Sequence, residues 1–203
     1  MKLIGMLDSP YVRRVAISAK CLGIPLEHQS VSVFRHFEQF QQINPVVKAP
    51  TLVLDNGDVL IDSTLIIDYL EALAGSNKTL MPGELDQRLR ALRLTGLALA
   101  ACEKSVQLYY ERNLRPAEIQ YEPWVERVEG QLAAAYSALE RELEFAPLKA
   151  DGSIDQAGIC VAVAWSFSRL VVPEQVDSEQ FPQISAFTAY AEQLEAFLDT
   201  PIE

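Results

Sequence analysis

The chain has 203 residues, 49% hydrophobic and 22% charged, with 28 acidic against 17 basic side chains and a formal net charge of −11. That apolar content excludes intrinsic disorder, and the length predicts one or two domains with a sizeable core. The acidic balance speaks against nucleic acid and anionic membrane surfaces as partners, because both select basic surfaces.

Residues 2–6 read as a short apolar strand. Ser9-Pro10 then starts a helix, with a side-chain acceptor at the N-cap and proline at the first helical position. That helix buries Val12, Val15, Ala16, Ala19 and Leu22 and stops at Gly23. Residues 26–33 read as a second strand and residues 37–43 as a short helix. A third strand, residues 49–54, meets residues 59–61 across Asp55-Asn56-Gly57-Asp58, and Asn-Gly between apolar runs is a strong hairpin signal. Asp62-Ser63 caps a helix with Leu65, Ile66, Tyr69, Leu70 and Leu73 on one face. A strand–helix–strand crossover makes the first two strands parallel, and the hairpin extends the same sheet antiparallel.

Residues 75–83, with two glycines and a proline, read as a linker, which places one domain at residues 1–76 and a second at 84–203. Every long segment of the second has helical period. Leu85, Leu89, Leu92, Gly96, Leu99, Cys102, Val106 and Tyr109 step along one long helix. Val125, Val128, Leu132, Tyr136, Leu139 and Leu143 mark another, and Ile184, Phe187, Ala191, Leu194 and Leu198 a third. From Ala157 to Val172 the apolar residues lie all round the helix, which predicts a central, surrounded position.

Cys21, Cys102 and Cys160 lie far apart and form no CxxC pair, which suits small apolar residues in a reducing compartment. With two histidines in the chain, no metal site is expected. The apolar stretch before Asp8 is too short for the core of a signal peptide, and the uncharged segment 157–168 is well under the roughly 20 residues that span a bilayer. Cytoplasm is the expected location, with no membrane association.

Four features occur in order: Ser9-Pro10-Tyr11-Val12-Arg13-Arg14-Val15, Asn44-Pro45, Ala49-Pro50 before the third strand, and Asp62-Ser63 opening the third helix. Together with the element pattern they make the whole chain resemble the soluble glutathione transferases, closest to bacterial members with a serine in the first loop. The resemblance implies an α/β plus all-α fold: a thioredoxin-like N-terminal domain that binds glutathione, then an all-helical C-terminal domain forming the electrophile pocket. It implies a glutathione S-transferase with glutathione as co-substrate, a small apolar electrophile as second substrate, no metal, and a homodimer. No contiguous dimer interface can be picked out of the sequence.

Two roles stand open for Ser9. As an N-cap, its hydroxyl accepts a backbone N–H, worth about 1 kcal/mol. In the role the resemblance implies, the hydroxyl donates to the glutathione sulfur and favours the thiolate, assisted by the positive end of the helix. Lowering a thiol pKa by about two requires roughly 2.7 kcal/mol of preferential anion stabilisation, which one charge-assisted bond and a helix terminus can supply. No histidine is placed to act as a base for Ser9, so a serine-hydrolase reading is poor. Tyr11 competes for the same role or packs locally, and Asp8 brings a negative charge nearby.

Proline before a strand suits a cis bond or an edge strand. The resemblance makes Ala49-Pro50 cis, with the Ala49 backbone pairing to the cysteinyl part of glutathione as an added strand does. It likewise assigns the γ-glutamyl carboxylate to Ser63, its ammonium to Asp62 and the glycyl carboxylate to Lys48. Leu108, Tyr109 and Arg112 are the electrophile-pocket candidates.

The chain departs from the family pattern in two places. Val47 stands where glycine is usual, and Asp155 and Gly158 replace a Ser/Thr…Asp cap on the central helix, leaving Ser153 and Gln156 as a substitute box. There is no cysteine at position 9 and no serine-serine-cysteine signature. The alternatives are a glutathione-dependent reductase, peroxidase or thiol exchanger, and a non-catalytic interaction module on the same fold.

Overall fold

The computed structural model describes residues 1–75 and 78–202. The boundary expected at residue 76 and part of the expected linker lie outside the described residues. The chain divides into two units, residues 1–81 with 194–203, and residues 82–193.

In the first unit, β1 (Lys2–Ile4) leads through α1 (Pro10–Leu22) to β2 (Glu27–Gln29), then α2 (Phe37–Ile43), β3 (Thr51–Val53), β4 (Val59–Ile61) and α3 (Ser63–Ala74). The sheet order is β2-β1-β3-β4. β1 and β2 are parallel, with Leu3 opposite His28; β3 and β4 join antiparallel, with Leu3 opposite Leu52 and Leu52 opposite Leu60. This is the mixed sheet that the crossover and the Asn-Gly turn predict, and the thioredoxin-like arrangement that the resemblance implies. Successive strand residues face opposite sides, and Ile4 packs with Val31 and with Phe40 of α2. α1 ends at Gly23, whose φ of 72° lets its N–H and that of Ile24 reach back to the Lys20 and Ala19 carbonyls.

The face assigned to α3 needs correcting. Ile66, Ile67 and Leu70 are buried, whereas Leu65, Tyr69 and Leu73 are exposed. Apolar residues stand at nearly every position of residues 65–70, so periodicity alone fits more than one stripe.

α8 (Glu195–Leu198) belongs to this first unit, not to the helical domain to which 84–203 assigned it. The expected stripe through Leu194 and Leu198 breaks after Ala191, and Leu198 is exposed. Long-range partners hold the segment instead. The Arg13 guanidinium lies 5.4 Å from the ring centre of buried Phe197, its Nε donates to the Thr200 carbonyl at 2.8 Å, and Lys20 meets Asp199.

The second unit holds α4 (Leu85–Asn113), α5 (Glu122–Phe145), α6 (Gln156–Val171) and α7 (Pro182–Ala191). α6 packs against α4 and α7, and its buried residues run all round it, as its apolar pattern requires. The α5 residues expected inside are all buried.

α4 forms as one long helix but turns a different face inward. Ala91, Leu94, Thr95, Ala98, Ala101, Cys102, Ser105 and Leu108 are buried, and Leu85, Leu89 and Leu92 are exposed. Small residues on the contact face let α5 and α6 approach closely. Ranking residues by apolar size alone selects the wrong stripe.

Polar groups inside this unit are paired across helices. The Tyr136 hydroxyl donates to the Ala164 carbonyl or Ser168 Oγ, Ser168 bonds Ser105, and burial pushes the Tyr136 phenol well above its ordinary pKa. Glu140 accepts the Gln183 and Ile184 N–H groups at the start of α7.

Asp155 caps α6, accepting the Gly158 N–H at 2.8 Å. The substitute box does not form, because Ser153 bonds Asp151. Asp155→Ala is expected to cost about 1 kcal/mol and lower Tm by about 2–4 °C. A thermal melt unchanged within a degree would refute that capping role.

Candidate functional site

Three segments of the first unit converge at Gly5, just past β1. Its φ is +135°, and a Cβ built there would lie 2.6 Å from Val12 Cγ2 and 3.1 Å from Ala49 Cβ. α1 and the loop before β3 therefore press on the same bare backbone. The Gly5 N–H donates to the Gln29 carbonyl, and its own carbonyl accepts from His28 Nε2 at 2.7 Å. A carbonyl only accepts, so this bond makes Nε2 the protonated nitrogen. His36 Nδ1 accepts the Ser32 N–H, so neither histidine bonds Ser9.

Ser9 follows in a turn closed by its N–H to the Met6 carbonyl, and its carbonyl accepts the Arg13 N–H as the first bond of α1. It occupies the N-cap with extended backbone, but its side chain makes no cap bond. The capping role expected for the hydroxyl is therefore not in use. The residue is half-buried. Tyr11, in the first turn, is half-buried as well.

The loop before β3 is pinned by side chains. Asn44 accepts the Val46 N–H and donates to Thr51 Oγ1, which donates to the Lys48 carbonyl at 2.7 Å. Val47 takes φ 51°, the left-handed conformation a glycine would supply. For a β-branched residue this costs about 1–2 kcal/mol, offset in part by packing against the Ile4–Phe40 cluster. The Ala49-Pro50 bond is cis. Among the described residues, neither the N–H nor the C=O of Ala49 is hydrogen-bonded. Lys48 is exposed and forms no ion pair with them.

At the start of α3, Asp62 is the cap. Its Oδ1 accepts the Thr64 N–H at 2.8 Å and the Leu65 N–H at 3.4 Å, with φ at 71°. Ser63, expected to share the capping, is the first helical residue and only 3% exposed. Its Oγ accepts from Arg14 Nη1 at 2.9 Å, and Thr64 Oγ1 accepts from the same nitrogen at 3.1 Å.

Gly5 and Arg14 were not legible as site residues. The signal for Gly5 was a glycine directly after an apolar run; Arg14 stood inside the Ser9–Val15 motif with no role of its own. In the helical unit, Leu108 is core, Tyr109 is partly exposed, and Arg112 is held by both carboxylate oxygens of Glu122, at 2.9 and 2.8 Å. The Glu122 bond holds the Arg112 guanidinium above its ordinary pKa and the Glu122 carboxyl below its own. Cys102 and Cys160 are buried, and burial raises the Cys21 thiol pKa. Among the described residues no cluster of three or more His, Cys, Asp or Glu is placed to hold a metal, and no helix is long and apolar enough to cross a membrane.

A β2-β1-β3-β4 sheet with a cis proline opening β3, continued by a helical unit, defines a thioredoxin-like domain joined to an all-helical one. Residues 3–78 match the family described as glutathione S-transferase, N-terminal domain. The chain is 30% identical to a glutathione transferase family member of Pseudomonas fluorescens Pf-5 solved with bound glutathione, covering 100% of this chain and 98% of that one at a TM-score of 0.85. It is 29% identical over 164 residues to the GST-like protein YibF of Escherichia coli K12, covering 81% of this chain and 80% of that protein. Glutathione S-transferase U6 of Arabidopsis thaliana is 25% identical over 207 residues, covering 98% and 87%. The chain belongs to the glutathione transferase family.

Proposed function

We propose that this protein is a glutathione S-transferase whose first unit binds the tripeptide, with Ser9 favouring its thiolate for attack on a small apolar electrophile. The observation that carries this reading is the backbone of Ala49, whose N–H and C=O have no hydrogen-bond partner among the described residues beside the cis proline. An extended peptide satisfies both, as a strand added to a sheet edge does. Glutathione has such a backbone at its cysteinyl residue, and the Pseudomonas relative was solved with glutathione bound.

The other groups take roles along the same peptide. Ser9 donates to sulfur through a hydroxyl that the helix does not use. Ser63 and the start of α3 meet the γ-glutamyl carboxylate, Asp62 meets the ammonium, and Lys48 meets the glycyl carboxylate. Tyr11 borders the sulfur from the first turn of α1. The positive φ of Asp62 supports a binding role, since backbone outliers of this kind cluster at ligand sites. The helical unit supplies the apolar surface for the electrophile, with Tyr109 its exposed aromatic candidate. The chemistry needs no metal, and a cytoplasmic location would keep glutathione reduced.

Calorimetric titration with glutathione tests the reading, followed by a panel of electrophiles, hydroperoxides and mixed disulfides. Binding in the micromolar to millimolar range with turnover of electrophiles is expected. No heat at millimolar glutathione would leave a non-catalytic module, and turnover confined to hydroperoxides or disulfides would assign the reductase or exchange chemistry.

We also propose a homodimer. Leu65, Tyr69 and Leu73 form an exposed stripe on α3, and Leu85, Leu89 and Leu92 form another on α4. Fully burying a leucine is worth about 1.5–3 kcal/mol, so covering these stripes with a second copy is strongly favourable. Sedimentation at micromolar concentration is expected to give twice the chain mass; a single-chain mass there would refute the dimer.

A further inference from the structure

Ser9 is held by two backbone bonds, its N–H to the Met6 carbonyl at 3.2 Å and its carbonyl from the Arg13 N–H at 2.9 Å. Its hydroxyl makes no bond to the helix. Where that hydroxyl points is therefore set by the Cα–Cβ direction and one staggered rotation, and the first turn of α1 fixes that direction. Arg13 closes this turn.

The Arg13 side chain is buried and runs to the C-terminal segment that packs on α1. Its Nε donates to the Thr200 carbonyl at 2.8 Å, and its guanidinium lies 5.4 Å from the centre of the Phe197 ring. Phe197 and Thr200 are themselves buried, and Thr200 Oγ1 donates back to the Ala196 carbonyl at 2.8 Å, which closes the anchor on itself. Further along α1, Lys20 meets Asp199 at 2.7 Å. At 1.5 Å per residue the two attachments stand about 10 Å apart along the helix. Two points fix the direction of a helix axis, where one leaves it free to pivot. The Lys20 pair is exposed and contributes little by itself, so the buried Arg13 end decides.

Packing alone does not call for a guanidinium there. An apolar side chain would cover Phe197 without taking a cation out of water. What the guanidinium adds is direction, because a planar donor held by a carbonyl and a ring face tolerates few positions.

We propose that Arg13 is a positioning residue: residues 194–200 hold its guanidinium, and through the first turn of α1 this aims the Ser9 hydroxyl at the glutathione sulfur. This rests on the reading of Ser9 as the thiol activator. Arg13 acts on the sulfur through Ser9, so its effect falls on thiolate formation and not on affinity for the peptide.

The test follows the ultraviolet thiolate band of the glutathione complex against pH, well below the melting temperature. In Arg13→Met, which keeps an apolar contact with Phe197, the midpoint of the band is expected to rise by about 0.5–1 pH unit. At neutral pH kcat is expected to fall about 3- to 10-fold, with the Kd of glutathione within about twofold. In a Ser9→Ala background the same change is expected to add less than about 0.2 pH unit, since the hydroxyl it aims is gone. An equal shift in both backgrounds would show the cation acting on the sulfur directly and overturns the proposal. An unmoved midpoint with a lower Tm would show a structural tie only and overturns it too.

Should Arg13→Met fail to fold, Phe197→Leu decides, because it removes the ring face at modest cost in volume. Its midpoint is expected to move in the same direction, and an unmoved one overturns the proposal. A chain that binds no glutathione removes the glutathione reading and this inference together. A band that survives Ser9→Ala removes the role of Ser9, and this inference with it, while glutathione binding stands. A band lost in Ser9→Ala but unmoved in Arg13→Met removes this inference alone.

Discussion

Ser9→Ala is expected to lower kcat/KM about 10- to 100-fold while glutathione affinity stays within about threefold. The magnitude is that of one hydrogen bond to an anion, roughly 1.5–3 kcal/mol. Losing a donor to the thiolate destabilises the charged form, so the thiol pKa rises and the ultraviolet thiolate band of the complex moves to higher pH by about one to two units. Stability is the control. Replacing a capping serine usually costs about 1 kcal/mol, but the Ser9 hydroxyl makes no cap bond, so the melting temperature is expected to stay nearly constant. Persistence of the band at neutral pH in the variant would pass the role to Tyr11 or to the amides of α1. A large drop in stability would return Ser9 to a structural role.

Gly5→Ala is expected to give the largest loss of stability of any single methyl addition in the first unit, about 3 kcal/mol or more. Two costs add. The φ of +135° is one that an L residue rarely adopts, and the new methyl would stand 2.6 Å from Val12 Cγ2. Val12 is fully buried and β-branched, so it has no open rotamer to move into. The backbone must shift instead, which displaces Ala49 at 3.1 Å and with it the edge proposed to pair with glutathione. Gly57→Ala separates the two costs, because Gly57 also has positive φ, +91°, but meets nothing within 4 Å. Denaturant unfolding should show the loss at Gly57 at about a third of that at Gly5. Equal losses would show that the crowded junction relaxes freely and that the close approach carries no energy.

Much of the first unit was legible because its signals are local. Ser9-Pro10 starts α1, Gly23 ends it, Asn56-Gly57 turns the hairpin, and α2 spans the residues its pattern gives. Residue types that favour one backbone conformation act over a few neighbours, so a short window contains the cause. The all-round apolar character of α6 is a different kind of signal, composition in place of periodicity, and it still placed that helix at the centre of its unit.

The choice of buried face was not legible in α3 and α4. Both helices carry more apolar residues than one face holds, and the stripe that turns inward is the one whose shapes fit the neighbouring helices. On α4 that stripe is rich in alanine, with the larger leucines left outside. The home of the last ten residues was equally hidden, since Arg13 and Lys20, far away in sequence, hold Phe197, Asp199 and Thr200.

The amino-acid order by itself determined where α1 and α2 of the first unit start and stop, the order of its strands and the sheet's mixed topology. Only the tertiary structure decided what the polar groups of the site bond to. Ser9 keeps its hydroxyl out of the cap, the Ala49 backbone has no hydrogen bond among the described residues, and Ser63 Oγ accepts from the buried Arg14 guanidinium. The physical reason is that backbone preference is set by near neighbours, whereas the partner of a polar atom is set by whatever the fold brings within 3 Å, and those groups come from segments far apart in the chain.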